Sequence, residues 1–119
     1  MTSWSIESID DSPDVELIRW AVYEVQLASR DTPTQHLVGT RRQNPFGKVS
    51  SAIMAIDPAR HLVMTASKKV YELQGESGFD AGGDTVWHQW LGINGLSDYI
   101  DVTGELLALM DAEFSHSKK

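Results

Sequence analysis

Four histidines, His36, His61, His88 and His116, are the residues best suited to proton transfer or metal ligation, and no two fall at metal-ligand spacing. Asp84 and His88 stand four apart, which on a helix would let them touch and share a cation; the plainer reading is a helix cap followed by an exposed imidazole. Ser50 and Ser51 offer hydroxyl nucleophiles, yet no Gly-x-Ser-x-Gly elbow surrounds them, and a serine within a strand is not presented on a strained turn. The loop Gly75–Gly83 precedes an apolar periodic run, as phosphate cradles do. Its neighbours Glu76, Asp80 and Asp84 would repel phosphate, no Gly-Lys-Ser/Thr follows, and calcium-loop spacing is absent. The reading is therefore of a non-enzymatic chain with no catalytic residue, no metal site and no cofactor.

Charge carries more information than any of these groups. Residues 1–35 hold seven acids and two bases, 36–75 two acids and six bases, and 76–119 eight acids and two bases. A basic middle thus lies between acidic ends in a chain of net charge −7, a layout that concerns partners and steering rather than fold. Two binding surfaces follow. The first is acidic: Asp10, Asp11, Asp14 and Glu16, with Trp4 as an apolar anchor. Such carboxylates can imitate phosphates and occupy the basic groove of a nucleic-acid-binding protein or complex. The second is basic: Arg41, Arg42, Lys48, Lys68 and Lys69, near Phe46 and Tyr71. It would follow a nucleic-acid backbone while aromatics stack on bases. Net negative charge opposes general binding to nucleic acid or anionic membranes, so the protein-partner reading leads and nucleic-acid binding is the alternative.

These groups need a scaffold. A length of 119 residues suits one domain with its own core. The absence of cysteine removes disulfides and thiolate chemistry and fits a reducing cytoplasm. No signal peptide and no apolar run long enough to span a bilayer is visible. Alternation predicts strands over 17–27 (Ala21, Tyr23, Val25 and Leu27 on one face), 36–42, 49–56, 62–67 and 70–73. Loops this short imply antiparallel neighbours. Asp84 is the expected N-cap of a helix over 85–94, with Val86, Trp87, Trp90 and Leu91 on one face and Gly95 ending it. Thr103 is the expected cap of a last helix bearing Leu106, Leu107, Met110 and Phe114. The expected fold is α+β: a four- to five-stranded antiparallel β-meander with two short C-terminal helices packed on one face. Residues 1–114 form the single domain, 1–13 a candidate docking arm and 115–119 a polar tail.

The segments Gly47-Lys48-Val49-Ser50-Ser51-Ala52-Ile53, Val70-Tyr71-Glu72-Leu73-Gln74-Gly75, Val86-Trp87-His88-Gln89-Trp90 and Asp101-Val102-Thr103 resemble a family of small uncharacterised bacterial proteins found on mobile elements. The resemblance covers residues 17–105, and its motifs are structural, with no active site to carry over. It implies a setting in which small acidic proteins antagonise host defence, as anti-CRISPR and anti-restriction proteins do. In that setting the expected role is a counter-defence inhibitor that blocks a basic nucleic-acid-binding surface.

Overall fold

Eight strands and two helices make up the described chain: β1 (Ser5–Ile6), β2 (Val15–Val25), β3 (Thr34–Arg41), β4 (Gly47–Val49), β5 (Ile53–Asp57), β6 (Leu62–Thr65), β7 (Val70–Gln74), α1 (Ala81–Ile93), β8 (Ile100–Asp101) and α2 (Thr103–Ser117). The computed structural model describes residues 4–44 and 46–117, with side chains described to Met110. Pro45 and the side chain of Phe114 lie outside the described residues, as do Lys118 and Lys119 of the expected polar tail.

The α+β class holds, but the sheet is not an antiparallel meander of four or five strands. It has eight strands in the order β1-β5-β6-β7-β2-β3-β4, with β8 also on β2. Two pairings, β1 with β5 and β2 with β7, are parallel. The second has a simple cause. Successive strands from β2 to β7 reverse direction at each turn, and β4 and β5 are two pieces of one run, residues 47–57, interrupted at Ser50–Ala52. The first and last of five such runs point the same way, so they can meet only in parallel. The interruption does not break the ladder: Ser50 N donates to Leu37 O at 2.9 Å, and Ala66 N to Ala52 O at 2.8 Å. The strands therefore roll into a small closed barrel.

A bulge in β2 sets its inward faces. Pairing with β3 shifts register between Ile18 and Ala21, and Arg19 takes φ 45°. The extra residue resets the alternation, so Leu17, Trp20 and Val22 all enter the interior beside Leu37, Ile53, Ile56, Val63, Tyr71 and Leu73. Leu106 and Met110 of α2 join this cluster and close one end of the barrel. The opposite face of β2 and β3 presents Val25 and Val38 to Trp87 and Leu91 of α1. The helices thus lie on different sides of the sheet, not on one face as expected. Both sides of the central strands are apolar, and each side takes a helix.

Of the N-terminal segment, the described residues from Trp4 onward pack along the barrel. Trp4 is half-buried against the barrel core, and its Nε1 donates to Gln35 Oε1 at 2.9 Å. Ile9 is buried with Leu62 and Val70, its amide donates to Asp57 Oδ2 at 2.9 Å, and Arg60 Nη1 donates to its carbonyl at 3.0 Å.

Helix α1 starts four residues earlier than expected: Asp80, not Asp84, is the N-cap, and its Oδ2 accepts from Gly83 N at 2.8 Å. Gly82 and Gly83, poor helix formers, are held helical by contact with β3 and β4, where tertiary packing outweighs propensity. Thr103 is not a simple cap either. Its amide donates to Asp101 Oδ1, and its hydroxyl accepts from Val22 N, which ties α2 to β2.

Asp80 joins three elements, since it also accepts from Arg19 Nε at 2.7 Å and from the Thr40 hydroxyl. Burial alone would raise its carboxyl, but the bonds from Thr40, Arg19 and Gly83 and the Arg19 charge outweigh that and bring it down to about 2. A carboxyl depressed in the fold stabilises above its unfolded value of 3.8, and that stability is lost as pH falls through about 2. The side chain is 12% exposed, and the linkage is worth about 2 kcal/mol. Thermal melts of Asp80→Asn should therefore start from a lower Tm at neutral pH and converge on wild type between pH 4 and pH 2. Parallel curves across that window would show that Asp80 does not carry the effect.

Candidate anion-binding site

The end of the barrel away from α2 is an open mouth, formed where β2 and β7 begin and β3 ends. Ladder parity dictates which side chains enter it. Arg41 pairs with Leu17, whose side chain points inward, so Arg41 points inward too. Lys48 pairs with Gly39, and a Cβ at Gly39 would meet Leu17 Cγ at 3.1 Å, so Lys48 shares that face. Lys69 arrives from the turn between β6 and β7, where its carbonyl accepts from Thr65 N. The three cations line one cavity of about 470 Å³ with Pro13, Asp14, Val15, Glu16, Gln43 and Asn44.

None of the three makes an ion pair among the described residues. The pairs that form are Arg19–Asp80, Arg60 with Asp10 and Asp57, and His88–Asp84. The two carboxylates of the mouth are engaged by neutral donors. Asp14 Oδ2 accepts from Val70 N at 2.8 Å, and Glu16 accepts from Gln43 Nε2 at 3.3 Å and Gln74 Nε2 at 3.0 Å. Arg41 Nε is buried and has no hydrogen-bond partner among the described residues. Burial, then the charges of Lys69 and Arg41, hold Lys48 below the usual lysine range. Tyr71 lies beneath them; burial pushes its hydroxyl up to about 12, against the pull of Arg41 and with the push of Asp14. A buried guanidinium donor beside a lysine crowded by two like charges suits an anionic group.

No family model matches the chain, and neither a curated protein nor a solved structure does. The site must be read from its own geometry.

The basic set expected from sequence divides. Arg41, Lys48 and Lys69 converge on the mouth. Arg42 is exposed outside it, with its amide on Glu16 O and its Nη1 on Gln74 Oε1 at 2.7 Å. Lys68 is exposed at φ 71° in the β6–β7 turn. The acidic set divides as well. Trp4 is docked on the core, Asp10 is 3.4 Å from Arg60, Asp11 is exposed, and Asp14 and Glu16 belong to the mouth. Gln43 and Asn44 were missed as lining residues because Gln43-Asn44-Pro45-Phe46-Gly47 reads in sequence only as a chain reversal. Asp84 and His88 do meet, at 3.3 Å, but no third potential ligand joins them among the described residues. Ser50 is structural, its hydroxyl accepting from Leu37 N and donating to Ser51 O.

Proposed function

We propose that this protein is a non-enzymatic binding module that takes a phosphate-type anionic group in the open mouth of its barrel. The observation that carries the reading is the convergence of Arg41, Lys48 and Lys69 on one cavity, with no ion pair to any of them and no partner for the buried Arg41 Nε among the described residues. A tetrahedral dianion supplies acceptors for several donors at once, and a guanidinium fork with two ammonium groups suits it. Net charge of −7 limits the contact to one locus rather than a long polyanion track. The acidic, inhibitor-type surface draws less support. Trp4 is held by Gln35, and Asp14 and Glu16 by Val70, Gln43 and Gln74.

Inorganic phosphate tests the reading directly. At constant ionic strength, phosphate at ten times its dissociation constant should add about 1.4 kcal/mol of stability, or about 5 °C in Tm. Chloride should compete. A Tm that does not move with phosphate would sink the proposal.

A further inference from the structure

We infer that the group held in the mouth is the phosphate of a nucleotide, with its base stacked on Phe46. The inference rests on the anion-binding reading and adds a second recognition element to it. Phe46 is 68% exposed, a large apolar ring left in solvent beside a charged cavity. Its carbonyl accepts from Arg41 N, which extends the β3–β4 ladder one step beyond the Thr40–Gly47 pair. Cross-strand partners share a face, and so do residues two apart on one strand. By that parity Phe46 falls on the side of Arg41 and Lys48; it does not itself line the cavity, but in the chain it lies between Asn44 and Lys48, which do. Gln43 and Asn44, in the same turn, line that cavity directly.

The two features have the chemistry of one nucleotide. The cations take the phosphate. The exposed ring offers a base an apolar face, a mode of contact tolerant of base identity. Among the described residues Asp14 is bonded through Oδ2 alone, so its other oxygen is left to accept from a ribose or a base edge, whereas Glu16 is held at both oxygens by Gln43 and Gln74. A mouth of about 470 Å³ has the scale of a single small-molecule site. The surrounding negative charge disfavours a long strand threaded past it. The nucleotide can come free or as the 5′-phosphorylated end of a strand, and the chemistry is shared.

Titration calorimetry with inorganic phosphate, adenosine 5′-monophosphate and adenosine separates the parts. The monophosphate should bind about tenfold tighter than inorganic phosphate. Phe46→Ala, at an exposed site that leaves the fold intact, should abolish that margin and leave phosphate affinity unchanged. Lys69→Gln should weaken both ligands together. Equal affinity for phosphate and the monophosphate, or a margin that survives Phe46→Ala, overturns the nucleotide inference while the anion site stands. Binding of neither ligand overturns both readings. Competition by a 5′-phosphorylated single-stranded oligonucleotide, absent for its 5′-hydroxyl counterpart, would confirm the chemistry with a strand end as source. Competition by free nucleotide alone would confirm it with a free ligand.

Discussion

Gly47→Ala should destabilise the protein by about 3 kcal/mol, with the loss centred on the seat of α1. A Cβ at Gly47 would lie 2.3 Å from Gly82 O and 2.7 Å from Gly82 C, both backbone atoms of the first turn of α1. Backbone cannot rotate away as a side-chain tip can, so the helix must lift or β4 must leave its ladder. Either movement strains the contact of Trp87 and Leu91 with Val25 and Val38. The lift also pulls on Asp80, which caps α1 and is bonded to Arg19 and Thr40. Overpacking in well-packed sites costs about 1–3 kcal/mol, and the upper end applies where no flexible atom can yield. Chemical denaturation with tryptophan fluorescence reads the effect, because Trp87 and Trp90 stack at 5.1 Å in this region. An m-value near wild type with a lowered midpoint is the expected form. Gly92→Ala is the control. Its Cβ meets nothing within 4 Å, so the helix should tolerate it or gain slightly. Equal stability of Gly47→Ala and wild type would mean that α1 is not seated on β4 as described.

Local neighbours in the chain were legible and long-range closure was not. Alternation in 17–27 and 49–56 pointed to strands, and β2 and β5 stand there with shifted ends. The face Ala21, Tyr23, Val25 was also readable, and Ala21 and Val25 are buried beside a half-buried Tyr23. The return of β7 to β2 in parallel leaves no trace in any short window, because it joins Val15 to Tyr71 across the whole meander. The bulge at Arg19 was hidden for a different reason. A non-glycine residue at positive φ carries no compositional flag, and only the ladder shift reveals that Leu17 and Trp20 share a face. For α1, Asp80 and Asp84 were equally good caps by type. What decides is tertiary: Arg19 and Thr40 reach Asp80 and not Asp84. The site follows the same division. The residue types were visible as a basic middle, but the selection of Arg41, Lys48 and Lys69 over Arg42 and Lys68 depends on barrel parity and on the mouth, which exist only once the sheet closes.

Arg41→Met should remove anion binding while leaving stability unchanged or raised, and that opposition of effects marks a binding residue rather than a structural one. Deleting a buried arginine ordinarily strands its partner. Here the buried Nε has no partner to strand among the described residues. Methionine preserves much of the apolar stem and removes an unsatisfied donor, whose burial costs about 1–3 kcal/mol. It also relieves Lys48, which is crowded by Lys69 and Arg41. A charge-assisted hydrogen bond to phosphate is worth about 1.5–3 kcal/mol, so affinity should fall by about 10- to 150-fold. Lys48 supplies an independent signature. Burial and its cationic neighbours lower its pKa from 10.5, so it loses its proton at lower pH than a free lysine. Phosphate binds the protonated form, hence affinity should decline as pH rises through that lowered value. In Lys48→Arg the charge persists, because a guanidinium does not titrate in this range, and the decline should flatten. Calorimetric affinities across alkaline pH for wild type and Lys48→Arg check the sign. If Arg41→Met unfolds the domain, Arg41 holds the barrel together; if it binds phosphate like wild type, the mouth is not the site. A wild-type affinity that ignores alkaline pH would remove Lys48 from the contact.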